Sequence, residues 1–245
     1  MSNMAVINVV GIGPGKIEDM TIRAYDTLKK SDVLVGYTTY IDLVKDEFPE
    51  KELLSTPMKR EVERCRLCYE KALSGKNVSL ICSGDSGIYG MAGLMYELLP
   101  EYEGVTLNIV PGVTAASSGA AVLGSPIGHD FAVISLSDLL TPFDVIKNRI
   151  RKACEADLAI VLYNPSSKKR SDYLRVVCEI MLSIISPDTP CGYVTNIGRE
   201  GESFRVCSLG ELLNLEVDMF TTVFIGNSST EIIEGKLVTK RGYRL

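Results

Sequence analysis

Short apolar runs alternate along this chain with longer stretches in which apolar residues recur at helical spacing, and many of the runs end in glycine. Runs at 5–10 (AVINVV), 33–35, 53–56, 78–82 (VSLIC), 105–110, 131–135 and 158–163 predict buried strands. Helical spacing marks 20–28, 38–44, 61–73, 91–99, 144–156, 172–185 and 209–215. In 61–73 the expected apolar positions are Val62, Cys65, Leu67, Cys68 and Leu73. Further strands are predicted at 191–195, 204–207 and 221–225, with a last edge strand at 236–238. Alternation of strand and helix up to residue 135 predicts an α/β fold with a mainly parallel sheet covered on both faces. The pattern pauses at 136–142, which predicts an N-terminal domain at 1–135 and a C-terminal domain at 136–245.

The punctuation between these elements carries the chemistry. VSLICSGDSGIYGMAG (78–93) stops a buried strand at a glycine-rich loop. Such a stop leaves backbone groups unpaired at the carboxyl edge of the sheet, where open α/β sheets bind small molecules. The plainer reading is a tight turn with Asp85 or Ser86 capping the next helix. GIGPGK (11–16) resembles two phosphate motifs and satisfies neither. A P-loop would need glycine at position 10 and Ser or Thr at 17, where Val10 and Ile17 stand. The dinucleotide fingerprint would need glycine where Lys16 stands, and Pro14 removes a backbone donor. In PGVTAASS (111–118), Pro-Gly makes a turn and Thr114 is placed to cap a helix. The small residues after it permit close packing or leave room for a flat ligand.

Composition narrows the function classes. A formal charge of −5 over 245 residues argues against a general nucleic-acid binder, which needs a basic surface. With 46% hydrophobic residues the chain can build a substantial core. No apolar run approaches the roughly 18 residues of a membrane helix. MSNMAVINVV goes straight into a strand pattern, which predicts no secretory signal and a cytoplasmic protein. Seven scattered cysteines suit a reducing compartment. Cys65 and Cys68 form a C-x-x-C inside a helical pattern with no second pair nearby, so ordinary helix residues are the better reading than a metal or redox site.

Taken together, GIGPG (11–15), SGDSGIYGMAG (83–93), PGVTAASS (111–118), GHDFAVISLSDLLTPF (128–143) and LYNPSSKKR (162–170) resemble the tetrapyrrole (corrin/porphyrin) methyltransferases over nearly the whole chain. GHDFAVISLSDLLTPF, the YNP turn and TNIGREGE (195–202) are most similar to the members that methylate C17 of precorrin-3B or cobalt-factor III in cobalamin biosynthesis, with ring contraction. The resemblance implies two α/β domains, S-adenosylmethionine held in the cleft between them, and a homodimer. It implies cofactor contacts at Pro14, Gly84, Asp85, Ser86, Ile88, Thr114, Ala115 and Tyr163, and near Ile197 and Thr222.

Methyl transfer from a sulfonium needs alignment more than acid–base power, so the lack of an evident nucleophile–base pair is compatible with this class. Ring contraction moves protons. His129, the one histidine, and Asp138 are the candidates, each with a structural alternative: a plain loop histidine, and a cap for the helix after Pro142. A polycarboxylate substrate calls for cations, and Arg60 beside Lys59, Lys168 in Lys168-Lys169-Arg170, and Arg199 lie in or beside loops. Rival readings are methylation at C11 or C20, and a non-catalytic protein that binds the cofactor or a tetrapyrrole.

Overall fold

The computed structural model describes residues 4–167 and 171–244, and its chain forms two compact units that divide between Thr114 and Ala115. The first contains β1 (Ala5–Gly11), α1 (Ile22–Lys30), β2 (Val33–Tyr37), α2 (Thr38–Asp42), β3 (Glu52–Thr56), α3 (Glu61–Leu73), β4 (Val78–Cys82), α4 (Ala92–Leu98) and β5 (Val105–Val110). Its sheet has the order β3-β2-β4-β1-β5, with every pairing parallel.

Alternation along the strands sorts side chains onto the two faces. Ile7, Val9, Val33, Val35, Val78 and Leu80 pack with Cys65, Tyr69 and Met95 of α3 and α4. Val10, Leu34 and Ile81 pack with Ala24 and Leu28 of α1 and Ile41 of α2. Both faces are covered, so the central strands are nearly continuous apolar runs, broken by the buried Asn8, which donates to Asn77 Oδ1 at 3.2 Å, and by Ser79, whose hydroxyl meets that of Ser31 at 2.7 Å. Parallel pairing also puts the carboxyl ends of all five strands on one edge, and the glycine loops follow those ends.

The second unit contains α5 (Ala115–Leu123), β6 (Gly124–Ser125), β7 (Phe131–Ser135), α6 (Phe143–Glu155), β8 (Ala159–Tyr163), α7 (Tyr173–Leu182), β9 (Pro190–Thr195), β10 (Ser203–Ser208), α8 (Leu209–Leu212), β11 (Thr221–Ile225), β12 (Thr230–Ile233) and β13 (Lys236–Thr239). Its larger sheet has the order β10-β9-β11-β8-β7, parallel between β7 and β8 and antiparallel elsewhere. Val223, Ile225, Ile160 and Leu162 face the core shared with α6, α7 and α8. Val161 and Phe224 face α5. A capping box closes the start of α8: Ser208 Oγ accepts from Glu211 N–H, and the Glu211 carboxylate accepts from Ser208 N–H.

Three expectations need correction. The units divide before α5 instead of at 135/136, because β7 pairs with β8 from Phe131↔Ala159 to Ser135↔Tyr163 and so belongs to the second sheet. The strand at the C-terminus is central in its sheet, β12-β13-β6, and not an edge. On α3, Val62 and Leu73 are exposed, while Arg64 and Tyr69 are buried. The helix turns its polar Arg64 toward strand ends that supply hydrogen-bond acceptors. No described helix is long and apolar enough to cross a membrane.

Candidate functional site

At the carboxyl edge of the first sheet three loops are tied into one another. Ile12 N–H donates to Cys82 O at 2.9 Å, and Gly13 and Gly84 exchange backbone hydrogen bonds at 3.1 and 2.7 Å. Both glycines sit in the left-handed region, at φ +76° and +67°, where a side chain would be strained. Asp85 Oδ1 accepts from Gly87 N–H and Ile88 N–H at 2.8 and 3.0 Å, and its Oδ2 accepts from Gly112 N–H at 3.0 Å. Ser86, fully buried, donates its hydroxyl to Val110 O at 3.0 Å. A Cβ on Gly112 would come within 2.6 Å of Gly11 C and closer still to Gly84 O.

Asp85 and Ser86 thus build the loop from inside. The capping alternative read from sequence needs correction: α4 begins at Ala92 with Met91 as its N-cap and no side-chain cap, and Asp85 instead holds N–H groups of its own loop and of the third loop. Pro14 is buried beside the Gly13–Gly84 bridge, and Thr114 is half-buried. Ile88 and Tyr89 point outward, and Tyr89 holds φ +53°, an uncommon conformation for an aromatic residue.

In the second unit Tyr163 ends β8, and its hydroxyl oxygen accepts from Ala116 N–H at 2.6 Å, satisfying a donor in the first turn of α5. Ala115 opens that helix and is half-buried. Ile197 and Phe224 press against Gly119, where an added Cβ would lie 2.9 Å from each. Thr222 is buried in β11 opposite Val194. Next to it the Thr195 and Thr221 hydroxyls meet at 3.0 Å, and Thr221 donates to Asp218 Oδ1 at 2.8 Å. The sequence candidates therefore fall into two groups, one in each unit.

The charged candidates are placed differently. Arg60 pairs with Glu63 on its own helix, which compensates its charge locally. The Arg199 guanidinium carbon lies 5.8 Å from the Phe220 ring centroid. Lys168, like Lys169 and Arg170, lies outside the described residues. His129 is exposed, with Nδ1 accepting from Asp130 N–H at 2.8 Å. Asp138 does not cap α6, whose N-cap is Pro142. Its Oδ2 accepts from the Tyr173 hydroxyl at 2.7 Å, and the Tyr173 ring stacks on Phe143 with centroids 3.8 Å apart.

The cysteines are buried thiols. Burial pushes Cys65 and Cys178 up to about 12 and Cys82 to about 11, which keeps them protonated and unreactive near neutral pH. No group of His, Cys, Asp or Glu among the described residues is arranged to hold a metal. Sequence reasoning missed the buried Arg64 and the part played by Gly112. Nothing in the pattern marks a buried arginine, whereas Gly112 was visible as half of a Pro-Gly turn.

The family model for Tetrapyrrole (Corrin/Porphyrin) Methylases matches residues 6–213. A probable cobalt-factor III C(17)-methyltransferase of Salmonella typhimurium is 44% identical over 241 residues, covering 98% of this chain and 100% of that protein. A cobalt-factor III methyltransferase of Priestia megaterium is 42% identical over 241 residues, covering 96% of this chain, which spans 45% of that longer protein. The crystal structure of the methyltransferase CobJ superposes with a TM-score of 0.89 at 31% identity, covering 96% of this chain and 100% of that one. With the family model matching residues 6–213 and a relative 44% identical along its full length, the chain belongs to the tetrapyrrole (corrin/porphyrin) methylases.

Proposed function

We propose that this protein is an S-adenosylmethionine-dependent methyltransferase acting at C17 of cobalt-factor III or precorrin-3B in cobalamin biosynthesis, with the associated ring contraction. The observation that carries this reading is the 44% identity along the full length of a probable cobalt-factor III C(17)-methyltransferase. The cytoplasm as its location and a homodimer as its assembly belong to the same proposal.

The residues at the carboxyl edge fit such a cofactor. Asp85 and Ser86 hold the second loop from behind, leaving Gly87 with only Asp85 Oδ1 near its missing side chain, at 3.4 Å, and Ile88 exposed. Pro14, Gly84, Ile88, Thr114 and Ala115 would hold the cofactor, together with Tyr163, Ile197 and Thr222. When bound, S-adenosylmethionine supplies an activated methyl on a positive sulfur. The protein's own task is then to fix geometry, and hydrogen-bonded backbone loops do this without a general base. Proton movement during ring contraction falls to Asp138, whose carboxylate holds the Tyr173 proton donor, or to His129.

The test is anaerobic incubation of the purified protein with S-adenosylmethionine and either cobalt-factor III or precorrin-3B. Mass spectrometry should show one added methyl, and NMR should place it at C17. Cofactor binding without methylation of either substrate would refute the substrate assignment.

A further inference from the structure

Arg64 is a buried cation, 4% exposed, whose hydrogen-bond partners are all neutral. Its Nε donates to Thr56 Oγ1 at 2.8 Å, and one terminal nitrogen donates to Pro57 O at 3.0 Å and Thr56 O at 3.4 Å. The guanidinium carbon lies 5.9 Å from the Tyr37 ring centroid. Buried charges are ordinarily paired with an opposite charge. Here the charge instead fastens the carboxyl end of β3, beside that of β2, on the edge that carries the glycine loops.

The turn that Arg64 fastens is strained. Lys59 holds φ +68°, an uncommon conformation for a residue with a long side chain. The turn is held at both ends: Pro57 O accepts from Arg64, and Lys59 N–H donates to Glu61 Oε1 at 3.2 Å. Strain of this kind persists only where the surroundings over-determine it. The consequence is a fixed backbone at Lys59, whose exposed ammonium has no carboxylate partner among the described residues, next to an Arg60 already paired with Glu63.

We propose that Lys59 binds a peripheral carboxylate of the tetrapyrrole and that Arg64 is its positioning residue, so that Lys59 and not Arg60 supplies the cation on this turn. The inference rests on the proposed substrate class and adds a specific anion subsite to it. Lysine donates to a carboxylate as a compact point charge on a flexible stem, and the left-handed turn sets where that stem leaves the backbone.

The test is a binding titration with uroporphyrin III, a polycarboxylate porphyrin, at low salt. Lys59→Asn tolerates the left-handed backbone and removes the charge. It should weaken binding about tenfold, the scale of one charge-assisted hydrogen bond, and flatten the salt dependence. Lys59→Arg should restore affinity to within about twofold of the wild type, since the charge returns. Arg64→Met should weaken binding as much as Lys59→Asn, and the double variant should be no worse than Arg64→Met alone, because both act through one turn. S-adenosylmethionine affinity and the melting temperature of Lys59→Asn should stay at wild-type values.

Unchanged porphyrin binding in Lys59→Asn overturns the proposal, whatever Arg64→Met does. A loss that Lys59→Arg fails to restore overturns it as well. Wild-type protein that binds no uroporphyrin III removes the substrate class and the subsite together, whereas binding indifferent to Lys59 removes the subsite alone.

Discussion

Asp85 reaches Gly112 N–H with one carboxylate oxygen, at 3.0 Å, while the other holds Gly87 and Ile88 N–H. One side chain therefore joins the loop after β4 to the loop after β5, two of the three loops that the sequence pattern singled out. Replacing it by asparagine keeps one acceptor and turns an amide donor toward another donor. Asp85→Asn should lower stability by about 1–3 kcal/mol and weaken S-adenosylmethionine binding as the loops separate. Denaturant melts and cofactor calorimetry would measure both, and wild-type values in both would remove Asp85 from the site.

Glycine replacements should separate backbone from side-chain crowding. At Gly112 the new Cβ meets the backbone of Gly11 and Gly84, which cannot yield without breaking the interlocked loops. At Gly119 it meets the ends of Ile197 and Phe224 at 2.9 Å, which can shift. Gly119→Ala should cost about 1–3 kcal/mol, in the usual range for overpacking, and Gly112→Ala should cost more. Urea midpoints of the two variants give the order, and the reverse order would contradict the account.

Alkaline stability should be set largely by the thiols. Burial raises Cys65 and Cys178 from an ordinary 9.0 to about 12, and Cys82, Cys154 and Cys207 to about 11. Above pH 9 the unfolded chain releases these protons while the folded chain keeps them, so the unfolded state binds fewer protons and stability falls as pH rises. Each such thiol should add about 1.4 kcal/mol per pH unit to the slope between pH 9 and its folded value. Urea melts from pH 7 to 11 should show a plateau below 9 and a decline above it. Cys178→Ala should make the decline shallower.

Tyr173→Phe deletes the hydrogen bond to Asp138 and keeps the stack on Phe143. The stability change should be about 1 kcal/mol, the net worth of one hydrogen bond. Where Asp138 handles the proton of ring contraction, losing its donor should shift the pH profile of that step and leave methyl transfer alone. Coincident shifts in both steps, or in neither, would return the role to His129.

Much of the first unit was legible because its signals are local. VSLIC, buried on both faces of a parallel sheet, shows as an apolar run whatever it pairs with, and β4 and β5, like β7 and β11 of the second unit, lie where the pattern put them. The glycine loops were visible for the same reason, since a strand end and a left-handed turn each leave a mark in the residues that form them. Arg64 was not legible. Its burial depends on Thr56 and Pro57 presenting acceptors at the end of β3, and helical spacing places it on an unremarkable turn of α3.

By itself the sequence determined most strands and helices and marked the three glycine-containing loops, though not the short β6 and β12, because backbone preference and side-chain alternation act over a few residues. Tertiary structure alone decided which sheet each strand joins. β7 is committed by its bonds to β8 across the length of α6, and β13 lies at the centre of its sheet because β6, far back in the chain, pairs along its other side. The same holds for the turn before α3, where Arg64 on the following helix donates to Pro57 O, two residues before the left-handed Lys59. Pairing and burial are settled by partners distant in sequence, and no local pattern contains them.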